Sequence, residues 1–309
     1  MNYLTYQIAF MKRIMGYLFN IFLVLFSTCH LNASVDIALT IDDYPMDDGL
    51  IFSSENRTQA FIETCKKHFC KAAFFCIGNN CKSERGSSLL LQLDKNQHFI
   101  CNHSMTHTHL SSQSLEEFEK EIEQAHDILK PYKNMRSWYR YPFLDYGNRI
   151  ALGGSYDKAL LSLQILNRLG YSEGYVTINT FDWHLNERLS EAIKKGLSVD
   201  YKALKDLYVE LLNSWCNYCI NLYENVISEK VTHTLLLHAN DLNALFLDDI
   251  LNMLQESGWN IVSPEQAFSD VRWRNEILKN PDMITHKPSN LDCSEIDKLI
   301  FQRKIFSEK

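Results

Sequence analysis

Val35-Asp36-Ile37-Ala38-Leu39-Thr40-Ile41-Asp42-Asp43 decides the fold reading: an apolar run rich in Val, Ile and Leu, stopped by two carboxylates. Such a run reads as a buried strand bounded by an acidic turn. Downstream, residues 55–69 have helical spacing, with Phe61, Ile62, Cys65 and Phe69 on one side. Residues 71–77 form a second apolar strand, closed by Gly78 and Asn79. A short helix at 86–95 leads to a strand at 98–101. Residues 114–130 read as a helix, opened by Ser114 with Glu117 three residues on, a capping-box pattern. The pattern continues with strand 136–140, helix 157–169, strand 174–179, a long helical stretch at 186–229, strand 232–238, helix 243–257, strand 260–262 and helix 264–270. Strand and helix alternate, which predicts parallel βαβ units in a doubly wound sheet or a barrel. The stretch 186–229 is too long for one crossover and reads as a helical insertion.

The chain has 309 residues, 46% hydrophobic and 22% charged, a size and balance suited to one large α/β domain. Net charge is −7. Residues 1–33 hold Lys12, Arg13 and no acid, so the rest sits near −9. An acidic body argues against nucleic-acid binding, which relies on Lys/Arg surfaces against phosphate. Lys12 and Arg13, the apolar run 14–28 and small residues at Ala33 and Ser34 follow the secretory-signal pattern. Residues 1–33 are therefore expected to be a signal peptide or an N-terminal membrane anchor, and the protein to be exported to a periplasmic, cell-envelope or secreted location. The eight cysteines beyond Cys29 would be an invitation to disulfides in an oxidising compartment. Cys216-x-x-Cys219 lacks a second Cys/His pair at zinc spacing and reads as a disulfide or two buried thiols. Residues 273–309, with Pro281 and Pro288, read as a loosely attached polar tail.

The polar residues fall on this frame in one way. Asp42 and Asp43 follow the first strand, and His103, Ser104 and His107 follow the third. Arg140 ends the next strand with Pro142 behind it. Asp182 and Trp183 follow strand 174–179, and His238 ends strand 232–238. In parallel α/β folds the C-terminal ends of the strands face one side and carry the site. Five strands would thus deliver their polar residues to one mouth. Two histidines and a carboxylate are a common catalytic zinc set with a position left open for water. A second carboxylate can take a proton from that water, and a separate histidine can protonate a leaving group. Taken singly, each of these residues has a plainer reading as a surface turn or a satisfied polar group. Their joint placement points to hydrolysis of an amide or ester.

These residues also resemble a known family, the NodB-type polysaccharide deacetylases (carbohydrate esterase family four). Thr40-Ile41-Asp42-Asp43 looks like its first motif and Asn102-His103-Ser104-Met105-Thr106-His107 its second. Arg140-Tyr141-Pro142-Phe143 resembles its Arg-x-Pro-aromatic motif, Asp182-Trp183 the end of its fourth, and Leu236-Leu237-His238 its fifth. Ala72-Ala73-Phe74-Phe75 with Gly78 resembles its second strand. The likeness spans about residues 35–270. It implies a distorted (β/α)7-type barrel as a catalytic domain at 34–272, with the helical insertion at about 186–229. It implies Asp43, His103 and His107 as ligands of a divalent metal, zinc first among the choices. Asp42 would be the general base, held by Arg140, and His238 the general acid, tuned by Asp182. Trp183, Pro142 and Phe143 would line the sugar groove. Three departures stand out: Tyr44-Pro45 where the family often has Gly, Asn179 where it often has Asp, and the insertion.

The expected activity is metal-dependent removal of N-acetyl groups from an amino-sugar polysaccharide, peptidoglycan or a surface polysaccharide. The alternatives are an esterase or other C–N hydrolase on the same fold, or a non-catalytic carbohydrate-binding protein. Oligomeric state is open.

Overall fold

The computed structural model describes residues 34–227, 231–269 and 292–308. Residues 1–33, where the signal or anchor is expected, lie outside the described residues. Strand β1 (Val35–Tyr44) is followed by α1 (Ser54–Lys67), β2 (Ala72–Cys76), α2 (Glu84–Lys95), β3 (Phe99–Asn102), α3 (Leu115–Leu129), β4 (Met135–Tyr139) and α4 (Tyr156–Arg168). Then come β5 (Ser172–Glu173), β6 (Ile178–Asn179), α5 (Asp182–Lys194), β7 (Ser198–Val199), α6 (Tyr201–Ile227), β8 (His233–His238), α7 (Asp241–Glu256), β9 (Trp259–Val262), α8 (Pro264–Phe268), α9 (Cys293–Gln302) and β10 (Phe306–Ser307). The capping box predicted at Ser114 forms, with Glu117 N donating to Ser114 Oγ at 3.1 Å and Ser114 N to Glu117 Oε2 at 2.7 Å.

The main sheet runs β5-β4-β3-β2-β1-β8-β6, a seven-strand path, with β9 pairing the first part of β1. Every pairing in it is parallel. It curls into the distorted (β/α)7-type barrel that the alternation and the resemblance led us to expect. The two edge strands, β5 and β6, are joined by residues 174–177 alone, so one short segment brings the ends of the path together. The strand predicted at 174–179 is therefore split. Gly174 N still bonds Tyr139 O of β4 at 2.8 Å, whereas Thr177 N bonds Thr234 O of β8 at 3.3 Å. The chain crosses from one edge to the other within three residues. Gly174 is required there: a Cβ would lie 2.4 Å from the Phe75 ring.

Side chains alternate across the strands, as the pleat demands. Ile37, Leu39, Ile41, Phe74 and Ile100 join the large outer core under the helices. Ala73, Phe75, Phe99 and Cys101 form a separate cluster with Trp138 and Phe268. At the centre lies Arg140, 1% exposed. Its Nη1 donates to both oxygens of Asp42 at 3.0 Å, its Nε to Gly174 O, and its Nη2 to Thr40 Oγ1 at 3.3 Å and Tyr175 O at 3.4 Å. The guanidinium also sits 4.2 Å from the centre of the Phe75 ring. It thus supplies the donor for the Gly174 carbonyl and a second one for the Tyr175 carbonyl, which also accepts from Thr234 Oγ1 at 2.8 Å.

The insertion is two helices, not one. α5 packs beside α7, and α6 buries a stripe of Leu204, Leu207, Tyr208, Leu212, Trp215, Cys216, Cys219 and Tyr223. The stretch read as a polar tail is structured where it is described. α9 buries Ile296 and Ile300, His184 Nε2 meets Asp297 at 2.8 Å, and β10 pairs antiparallel with β7. Two buried isoleucines at helical spacing give that segment an apolar face, which its overall polarity conceals. The disulfides expected from the cysteine count do not form: the eight cysteines beyond Cys29 are free, and Cys216 and Cys219 are buried thiols. No helix among the described residues is long and apolar enough to cross a membrane.

Replacing Arg140 with Ala strands the Asp42 carboxylate and the Gly174 carbonyl in the barrel. We expect Arg140→Ala to lower unfolding free energy by about 3–5 kcal/mol, read from urea denaturation midpoints. A loss below about 1 kcal/mol would show that the guanidinium is dispensable to the fold.

Candidate metal and acid–base site

β1 delivers Asp42 and Asp43 through a bulge. Ile41 pairs with Phe74 and Tyr44 with Cys76, so three steps on β1 face two on β2. The extra residue is taken up where Asp43 adopts φ +62°. A regular strand would send neighbouring side chains to opposite faces; a bulge re-aims one of them. Asp42 and Asp43 can then both line one cleft. Tyr44, at the first departure from the family pattern, turns into the core instead, its hydroxyl 3.0 Å from Thr58 Oγ1.

The loop after β3 brings the two histidines. Asn102 organises its start: its Oδ1 accepts from Ser104 N at 2.9 Å, and its Nδ2 donates to Ile122 O at 3.0 Å. Ser104 and His107 take φ +63° and +58°, and Ser104 Oγ accepts from His107 N at 2.9 Å. Non-glycine residues with positive φ are uncommon, and here three of them hold the same cluster. His103 Nδ1 donates to Arg140 O at 2.8 Å, which leaves Nε2 as the acceptor nitrogen. That Nε2 lies 3.3 Å from Asp43 Oδ1, and His107 Nε2 lies 3.0 Å from the same oxygen.

One ligand atom from each of Asp43, His103 and His107 lies within 4.8 Å of the other two, the grouping that a single cation needs. The residues fit such an ion on their own chemistry. Asp43 Oδ1 is buried against the two imidazole nitrogens, and the second nitrogen of His103 is pinned by a carbonyl, as in many metal-binding histidines. Burial works against charge on Asp43, but the contacts with His103 and His107 outweigh it and hold the carboxyl far below the usual carboxylate range.

The opposite flank belongs to β8 and α5. His238 is the direct partner of Asp42 in the β1–β8 ladder, on the far side of β1 from β2 and β3. Asp182 Oδ1 lies 2.8 Å from His238 Nδ1, and Asp182 Oδ2 accepts from His238 N at 2.7 Å. Thr180 Oγ1 donates to Asp182 Oδ1 at 2.9 Å. Asn240 and Asn243 add donors to Asp182 Oδ2, and Tyr208 OH on the inserted helix donates to Asn243 Oδ1 at 2.6 Å. Burial disfavours the charged imidazole, yet the Asp182 carboxylate prevails and pushes His238 up to about 9. Asp182 is held below its ordinary value despite complete burial, chiefly by the His238 charge and bond.

These groups open onto a cleft of about 520 Å³. It is lined by Asp42, Asp43, His103, His107, His238, Phe143 and Trp183 from the sequence-derived set. Phe143 and Trp183 are about half exposed, at 48% and 45%, on its walls. Arg140 and Asp182 are buried behind it, and Pro142 is buried and not part of the lining. The lining also includes Met46, Leu144, Arg149, Asn179, Asn186, Leu236 and Asn240. Asn179 had stood out only as a departure from the family pattern, and Asn186 and Asn240 carried no motif. His109 stacks on Phe143 at 3.9 Å and bonds buried Asp145 at 3.0 Å.

Residues 33–172 match the sequence profile of the polysaccharide deacetylase family. No curated protein matches the chain. Among solved structures, a carbohydrate esterase family 4 pseudoenzyme from Bacillus anthracis is 17% identical over 76% of this chain and 66% of its own, with a TM-score of 0.53. This chain thus spans about two thirds of that protein. A peptidoglycan N-acetylglucosamine deacetylase is 19% identical over 77% of this chain and 89% of its own (TM-score 0.51). The peptidoglycan deacetylase PdaC from Bacillus subtilis, as a point mutant, is 20% identical over 80% and 96% (TM-score 0.50). Residues 33–172 thus resemble the polysaccharide deacetylase family in sequence, and the solved neighbours share the fold of the chain.

The acid–base flank has a pH signature. His238 is raised above its unfolded value of 6.5, so its contribution to stability is complete below 6.5 and is lost as pH rises through about 9. Asp182 is lowered from 3.8, so its contribution is present above 3.8 and is lost as pH falls further. In the metal-free protein, the stability gap between wild type and Asp182→Asn should be widest at about pH 4–6.5 and close toward pH 10. Urea unfolding across pH measures it; a gap independent of pH would refute the pairing.

Proposed function

We propose that the protein is an exported hydrolase that removes N-acetyl groups from an amino-sugar polysaccharide, with peptidoglycan or a surface polysaccharide as substrate. The observation that carries this reading is the pairing of Asp42 with His238 across β1 and β8, beside the Asp43–His103–His107 cluster. A base and an acid flanking a three-ligand site is what amide hydrolysis needs. The match of residues 33–172 to the polysaccharide deacetylase family supports the reaction class, and the basic, apolar and small-residue pattern of residues 12–34 supports export.

A divalent ion held by Asp43, His103 and His107, zinc in our reading, would act as a Lewis acid toward water and the acetyl carbonyl. The protein's own residues do the rest. Asp42 takes the proton of the attacking water, its carboxylate aimed by two bonds from Arg140. His238 Nδ1 is committed to Asp182, which leaves Nε2 to give a proton to the departing amine. Its raised value keeps that proton in place at neutral pH. Phe143 and Trp183 offer ring faces to the sugar on either wall of the cleft.

A second reading, a non-catalytic protein of the same fold, is raised by the Bacillus anthracis pseudoenzyme. Presence of both Asp42 and His238 disfavours it. Purified protein, stripped by chelator and reloaded with zinc, should release acetate from N-acetylglucosamine oligomers. Asp42→Asn should reduce kcat by roughly 10²–10⁴ while zinc binding by isothermal titration persists. Absence of acetate release with any divalent metal on any acetylated amide or ester would overturn the catalytic reading. Release from acetyl esters alone would move the substrate to an esterase class.

A further inference from the structure

The cleft contains one cation that the proposed chemistry does not use. Arg149 lies in its lining beside Phe143 and Leu144, exposed. Its backbone is fixed, with N donating to Ser111 Oγ at 3.0 Å. Its side chain donates from Nη2 to Phe143 O at 2.7 Å, and no carboxylate among the described residues forms an ion pair with it. This differs from the chain's other cations near the site. Arg140 is spent on Asp42, and Arg57, below the neighbouring lobe, is spent on Asp241 at 2.7 Å. Nor is the setting one that would favour an idle positive charge for solubility, since the chain is acidic overall.

The adjoining lobe, which Arg149 does not line, has the opposite character. A lobe of about 330 Å³ continues from Asp43, Met46, His107, Asn186 and Asn240 to Asp47 and Asp48. Asp48 is paired with Arg85 and Asp47 is exposed. An anionic group on a bound polymer would be repelled there and attracted at Arg149. A guanidinium anchored through one nitrogen keeps its remaining N–H donors for a planar, two-oxygen partner.

We propose that Arg149 is a specificity residue that binds a carboxylate carried by the sugar next to the one deacetylated, on the Phe143 side of the cleft. The preferred substrate is then an acidic amino-sugar polymer, such as a glycan whose alternate residues bear an ether-linked lactyl carboxylate, over a neutral one. This rests on the deacetylase reading above and narrows its substrate.

The test compares kcat/KM of the zinc-loaded full chain on two peptide-free glycans of equal length: a neutral N-acetylglucosamine oligomer and one with alternating lactyl carboxylates. Wild type should prefer the acidic glycan, and Arg149→Gln should cut the acidic-to-neutral ratio by tenfold or more, mainly through KM. Arg149→Lys, which keeps the charge, should recover part of it. Wild type alone gives a second measurement: raising salt from 50 to 500 mM should erode the preference, as expected for an exposed charge contact. A ratio unchanged in Arg149→Gln, or a wild-type preference for the neutral glycan, overturns the assignment while leaving the deacetylase reading intact. If wild type releases acetate from neither glycan, that reading fails, and Arg149 is judged by affinity electrophoresis on the acidic glycan. Equal retention of wild type and Arg149→Gln would overturn it there too, and a tenfold weaker retention of the variant would uphold it.

Discussion

The buried guanidinium of Arg140 is the constraint around which the barrel and its site are arranged. A charged group at 1% exposure persists only if it is fully paired. Here its partners come from three places that the chain must bring together: Asp42 and Thr40 on β1, the carbonyls of Gly174 and Tyr175 where the sheet changes edge, and the face of Phe75 on β2. The same residue's carbonyl accepts from His103 Nδ1. One arginine therefore orients the proposed base, sets the tautomer of a proposed metal ligand, and closes the barrel seam. Its cost in desolvation is offset by satisfying groups that no regular ladder reaches.

The cleft rim is where backbone regularity is given up. Asp43, Ser104, His107, Phe143 and Leu144 all hold positive φ without being glycine. Each stands at a strand end or just beyond it, where ladder bonds no longer dictate the chain path. Asn102, Ser104 and Asp145 replace those bonds with side-chain contacts, and so hold the strained turns in a fixed shape. Strain of this kind is concentrated where side chains must converge. The acidic flank is built differently. Asp182 opens a helix, where the helix dipole favours a carboxylate, and receives donors from His238, Thr180, Asn240 and Asn243. Through Tyr208 the inserted helix reaches this network without touching the cleft. The insertion thus supports the acid–base pair as well as burying an apolar stripe.

Much of the site was legible in the sequence, because the cues are local. A buried parallel strand announces itself by its apolar run, and in such folds whatever polar residues follow a strand's C-terminal end share one mouth. The sequence alone places Asp42, Asp43, His103, His107 and His238 together on that rule. The motif spacings that resemble the deacetylases rest on the same residues. Less legible were the residues that act through space. Arg149, Asn186 and Asn240 enter the cleft from loops and helix starts with no periodic signature. Pro142 shares a motif with Phe143 yet is buried and absent from the cleft lining. Nor did polarity alone reveal that Ile296 and Ile300 would dock α9.

What the sequence determined by itself was the order of strands and helices, the parallel α/β class, and the set of polar residues at the strand ends. These follow from periodicity and from the hydrophobic effect acting on short segments. Tertiary structure decided the rest. The strand read at 174–179 broke in two because closing the barrel required those residues to change edge, and side chains, Arg140 and Thr234, took up the carbonyls of Gly174 and Tyr175. The two adjacent aspartates reached one cleft because pairing with β2 forced a bulge that no pattern on β1 alone implies. Distances between ligands, the burial that sets His238 and Asp182 apart from ordinary side chains, and the place of Arg149 in the cleft lining all depend on residues remote in the chain. They exist only once the sheet has curled.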